Sequence, residues 1–96
     1  MKILVTGFEP FGGRDINPAR MIAESLTAPA GVELVRKILP VSFRRSRSEL
    51  ESVVLREKPD ILLSLGQAGN VPRIAVETVG INLMSSLRLD GTPGLP

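Results

Sequence analysis

Apolar residues fall along this chain in short unbroken runs and in stripes of helical period. Ile3-Leu4-Val5-Thr6 is a run that halts at Gly7, the pattern of a strand buried on both faces. Phe8 to Ile16 reads as a loop carrying Pro10, Gly12 and Gly13. Asn17-Pro18 marks a helix start, because Asn can cap and Pro is pre-set for the first helical position. Met21, Ile22, Ser25 and Leu26 follow at helical spacing, and Pro29 and Gly31 close that helix. Val32 to Leu39 reads as a second strand ended by Pro40. Phe43, Ser46, Leu50, Val53 and Val54 mark one face of a second helix over Phe43 to Glu57, with Lys58-Pro59-Asp60 as its stop. Ile61 to Leu65 is near-continuously apolar and is expected as a third, central strand. Gly66 to Asn70 is a loop, and Arg73 to Asn82 reads as a fourth extended segment.

The order β-α-β-α-β-β predicts an α/β fold, a mostly parallel sheet with helices on both faces. No repeat or linker interrupts it. The last residues, Asp90 to Pro96, are turn-like, and no helix follows to cover the last strand. The expectation is that residues 1–96 form the N-terminal part of a single α/β domain, incomplete at its C-terminus.

In open α/β sheets, ligands bind beyond the carboxyl ends of the strands. Two loops there can carry chemistry. Gly7-Phe8-Glu9-Pro10-Phe11-Gly12-Gly13 matches neither the dinucleotide fingerprint nor the P-loop. It does hold two of the three Phe in a chain without Tyr or Trp. Phe8 and Phe11 are either plugs of the core or walls of a small apolar pocket. In Gly66-Gln67-Ala68-Gly69, the Gln67 carboxamide offers an acceptor and two donors. It serves either an amide-like ligand or the backbone of its own loop. Glu77 shares a strand face with Ala75, Val79 and Ile81 on simple alternation. It is either a solvent-facing residue of an edge strand or a buried carboxylate that orients a catalytic imidazole.

Composition narrows the chemistry further. There is no Cys and no His, so the chain itself carries no thiolate nucleophile, no disulfide and no imidazole base. Net charge is +2, too small to argue for nucleic acid or an anionic membrane. Arg44, Arg45 and Arg47 cluster with no aromatic residue interleaved among them, as on the solvated face of a helix. No leader pattern and no membrane-length apolar run is visible, which gives the cytoplasm as the expected location.

Together these segments resemble the type I pyroglutamyl peptidase family. Met1 to Gly13 with Ile16-Asn17-Pro18 is close to that family's opening signature. Leu39-Pro40-Val41, Phe43, Lys58-Pro59-Asp60, Gly66-Gln67-Ala68-Gly69, Glu77 and Ile81-Asn82 follow in the family's order, so the resemblance spans about residues 1–82. It implies a cytosolic cysteine peptidase that removes N-terminal pyroglutamate from peptides, needs no metal or cofactor, and is commonly a homotetramer. It further implies that Phe8 and Phe11 line a pocket for the flat lactam ring, that Gln67 helps recognise the lactam amide, and that Asn17 braces the loop around Gln67. Glu77 would be the carboxylate of a Cys-His-Glu triad whose Cys and His lie further along the family fold. The chain departs from the family pattern at Asn70, Val71, Thr78 and Leu87. The expectation is a chain inactive alone; the alternative is a non-catalytic module that binds pyroglutamate or a related amide.

Overall fold

The computed structural model describes residues 1–10, 15–67 and 73–80. Five elements follow in chain order: β1 (Lys2–Phe8), α1 (Pro18–Ser25), β2 (Glu33–Leu39), α2 (Phe43–Glu57) and β3 (Ile61–Ser64). The strands form one parallel sheet in the order β2-β1-β3. The alternation of strands and helices read from the sequence is therefore realised, as an α/β fold.

Side-chain alternation on β1 assigns the layers. Gly7 faces α1 so closely that a β-carbon built on it would lie 2.7 Å from the Ala19 carbonyl oxygen. Val5 is on the same face and pairs in register with Arg36, whose Nε donates to the Ala23 carbonyl of α1 at 2.9 Å. The opposite face carries Thr6 and Phe8, in register with Lys37 and Leu39. Lys37 reaches Glu49 of α2 at 3.1 Å. The two helices thus cover opposite faces of the sheet. The core they enclose is built on Leu4, Val5, Ala19, Ala23, Leu39 and Val53.

Both helices start where a side chain can accept from the first turn. Asn17 caps α1 by accepting from the Ala19 amide at 2.9 Å, with Pro18 in the first position. Ser42 caps α2 by accepting from the Arg45 amide at 3.2 Å. At the far end of α2, Lys58 turns left-handed (φ 47°), its amide donates to the Val54 carbonyl, and the chain enters β3. Arg45 and Arg47 pair with Glu49 and Glu51 one turn on, as expected of a solvated helix face. At the amino-terminal end of the sheet, Lys2 Nζ lies 3.8 Å from Glu33 and 3.7 Å from Glu57, and the Asp60 carboxylate accepts from the Lys2 amide.

Four sequence expectations change. Gly7 does not end β1 but lies inside it, because the missing side chain admits α1. The buried stripe of α1 is Ala19 and Ala23, while Met21 and Ile22 are exposed; so close a helix leaves room only for small side chains. That helix also ends at Ser25, before Pro29, where Arg36 donates to the Leu26 carbonyl as well as to that of Ala23. Third, among the described residues β3 lies at the edge of the sheet with β1 between its neighbours, and every residue of β3 is exposed. Finally, residues 73–80 form no strand, and all are exposed. An extended segment needs a neighbour to complete its ladder, and none lies beside this one among the described residues.

Candidate functional site

The carboxyl ends of the three strands form one rim, as the parallel register requires. Thr6 is level with Ser64, so Phe8 projects two residues beyond that level on β1 and Gln67 three residues beyond it after β3. The rim is tied across by backbone bonds. Glu9 N–H donates to the Leu39 carbonyl at 3.0 Å, and Leu65 N–H to the Thr6 carbonyl at 2.9 Å. Phe8 and Gln67, far apart in sequence, are thereby brought to adjacent strand ends.

Phe8 is half-buried and lines an open cleft of about 320 Å³ between the sheet and α2. Thr6, Leu39 and Ser64 form its floor, and Ser46, Arg47, Leu50 and Glu51 its helical wall. The three hydroxyl residues there were not singled out from the sequence. Their signal was the alternation Leu4-Thr6-Phe8 on β1, which becomes informative only once the register with Ser64 is known.

Gln67 is half-buried, and its Oε1 is fully buried without a hydrogen-bond partner among the described residues. A buried amide oxygen left unsatisfied costs on the order of 1–3 kcal/mol. Such an atom at the ligand end of an α/β sheet is suited to accept from an incoming N–H.

Asn17 is 2% exposed, and both ends of its carboxamide are used. Oδ1 caps α1, and Nδ2 donates to the Glu9 carbonyl at 3.1 Å. What it holds is the chain where it leaves β1, at Glu9 just after Phe8; its described bonds do not reach Gln67. Phe11, Ala68 to Asn70 and Val71 lie outside the described residues, as do Ile81, Asn82 and Leu87. Glu77 lies in the exposed stretch 73–80, so the buried strand face considered for it is not formed there.

No group of three His, Cys, Asp or Glu suited to a metal ion occurs among the described residues. Among them, too, no helix is long and apolar enough to cross a membrane.

The family model described as pyroglutamyl peptidase matches residues 1–94. The pyrrolidone-carboxylate peptidase of Thermococcus onnurineus is 47% identical over 91 residues, which are 94% of this chain and 46% of that protein. Among solved structures, the pyrrolidone carboxyl peptidase of Fervidobacterium islandicum AW-1 superposes with a TM-score of 0.86 at 39% identity, over 99% of this chain and 48% of its own. The pyroglutamyl peptidase I of Bacillus amyloliquefaciens gives a TM-score of 0.78 at 31% identity, over 98% of this chain and 47% of its own. The chain spans about half the length of the relatives it matches.

Proposed function

Because the chain belongs to the pyroglutamyl peptidase family, we propose that it serves the hydrolysis of N-terminal pyroglutamate from peptides, as the N-terminal part of one α/β peptidase domain that recognises the lactam ring. The observation that carries this reading is the buried Oε1 of Gln67, without a partner among the described residues, on the same rim as Phe8. A lactam presents its N–H and C=O on one edge, locked cis by the ring. A carboxamide is the complementary pair: Gln67 Oε1 accepts from the lactam N–H while Nε2 donates to the lactam carbonyl. Phe8 and Phe11 supply flat apolar walls for the ring, and Asn17 holds the chain at Glu9, between them in sequence. Proline has no ring carbonyl and would leave the Nε2 donor unmatched, so the site rejects it.

Catalysis on this reading needs groups this chain does not carry, since it has neither Cys nor His. A Cys thiolate from the remainder of the family fold attacks the pyroglutamyl carbonyl carbon. A His takes the thiol proton and passes it to the leaving amine, and Glu77 holds the His tautomer. Water then hydrolyses the acyl-enzyme. No cofactor takes part. The complete enzyme is cytoplasmic and a homo-oligomer, and residues 1–96 are inactive alone.

The test is a calorimetric titration of the chain with pyroglutamate and with proline, beside an assay on a chromogenic pyroglutamyl amide. Saturable binding of pyroglutamate, absence of proline binding, and loss of binding in Gln67→Leu are expected. Pyroglutamate binding that survives Gln67→Leu would sink the lactam assignment. Appreciable turnover by the chain alone would sink the assignment of nucleophile and base to another segment. A second reading, a pyroglutamate-binding module without catalysis, is favoured by Thr78, Val71 and Leu87, where the sequence departs from the family pattern. It predicts the same titration, and no turnover even when the remainder of a relative is supplied.

A further inference from the structure

α1 is a slight helix for the place it holds. It spans eight residues, and its buried stripe is Ala19 and Ala23. A helix of about two turns is unstable by itself, and two alanines bury little apolar surface. Its ends must therefore contribute. Asn17 serves the first end. The last turn has no basic residue of its own to face the helix carbonyls. That cation comes from the neighbouring strand. Arg36 Nε donates to the Ala23 carbonyl at 2.9 Å, and Nη2 donates to the Leu26 carbonyl. The Ile22 carbonyl is served locally, by the Leu26 amide and the Ser25 hydroxyl. One planar guanidinium thus meets two carbonyls at once, which an ammonium on a flexible stem does less well.

These contacts close a circuit that starts and ends on β2. Leu39, further along the strand that carries Arg36, accepts from the Glu9 amide at 3.0 Å. The Glu9 carbonyl accepts from Asn17 Nδ2 at 3.1 Å, and Asn17 Oδ1 caps α1. Arg36 then returns the far end of α1 to β2. Gly7 lets the start of the helix sit against β1 at Ala19, and Arg36 anchors the other end. With that second anchor removed, α1 can pivot about the Gly7 contact and carry Asn17 with it. We propose that Arg36 is a positioning residue for the rim: it holds α1 so that Asn17 keeps Glu9, and with it the adjacent Phe8, in place. Its effect on pyroglutamate affinity rests on the lactam reading of that rim; its effect on Asn17 and Glu9 does not.

The experiment follows exchange of the Asn17 side-chain amide and the Glu9 backbone amide by NMR, beside calorimetric titration with pyroglutamate, in the 96-residue chain and its variants. In Arg36→Met both protons should exchange about tenfold faster through local opening, while the Leu65 amide, bonded to Thr6 on the other side of the rim, keeps its rate. Pyroglutamate affinity should fall about fivefold. Arg36→Lys, which keeps the charge without the fork, should recover part of both. Arg56→Met, in the last turn of α2, should change neither. A double-mutant cycle separates positioning from general loosening: added to Asn17→Ala, Arg36→Met should cost no further affinity. Equal losses in both backgrounds overturn the proposal, as do Asn17 and Glu9 protons that keep their rates in Arg36→Met. Should Arg36→Met lose its far-UV circular dichroism, Arg36→Lys is read in its place. Absence of pyroglutamate binding by every form, the unaltered chain included, removes the lactam reading, and exchange at Asn17 and Glu9 still decides the role of Arg36.

Discussion

The corner where β1 meets α1 and the strip formed by β3 lie on the same small sheet, yet they are finished to different degrees. At the corner, Leu4 and Val5 are 0% and 1% exposed, Asn17 spends both ends of its amide, and Gly7 brings helix and strand into backbone contact. Along β3, three large aliphatic side chains remain nearly half exposed, and Gln67 just beyond them has a buried oxygen without a partner among the described residues. The corner is closed by residues close in sequence. The strip is left open among the described residues. Local completeness is thus a property of individual elements, and the open places in a structure are where its recognition surfaces are to be sought.

Substitutions can test how sharp this contrast is. The largest effect is expected from Leu4→Ala, which deletes a fully buried side chain on the central strand and should cost about 2–5 kcal/mol. In a chain this small that approaches the whole stability, so loss of the urea unfolding transition is the expected result. Gly7→Ala comes next, at about 1–3 kcal/mol, because its β-carbon would meet the Ala19 backbone and not a movable side-chain tip. A denaturation midpoint unchanged by this substitution would show that α1 can back away from the sheet. Asn17→Ala removes the helix cap and leaves the Glu9 carbonyl without its donor, for about 1–2 kcal/mol in the same experiment. Smallest should be Leu62→Ala in the isolated chain, at about 1 kcal/mol, since that side chain has surrendered little more than half of its surface. A cost as large as that of Leu4→Ala would erase the distinction between the two regions.

Much of the corner was legible in the sequence. An unbroken apolar run, an Asn-Pro pair and a second helix with its apolar stripe at Phe43, Leu50 and Val53 led to the right elements in the right order. Such signals are local: a cap or a period is decided within a few residues. What escaped was set by distance in space. Gly7 looks like a stop in one dimension, and its role as a gap for α1 exists only after the chain folds back. The apolar run at Ile61 announces burial on both faces without saying whose atoms do the burying, and among the described residues it stands at an edge. The same limit applies to the site. Gln67 between glycines was recognisable as an amide reader or a loop brace, and its buried oxygen has no partner among the described residues. For Glu77, alternation could propose a face but not a partner strand, and the described stretch around it supplies none.

The position of β1 also has a bearing on how the chain is made. Of the three described strands, the first to leave the ribosome is the one that ends between the other two. It can be flanked on one side once Leu39 has emerged, but on the other only after Ser64 has. At synthesis rates of about 5–20 residues per second, the interval between those events is on the order of a second or more. For that time a central, aliphatic strand has one open edge during translation. The Lys2 amide bond to Asp60, which spans 58 residues, is among the contacts that end the wait. Synonymous codon changes that slow decoding between positions 40 and 64 would lengthen the vulnerable interval without altering a single atom of the finished protein.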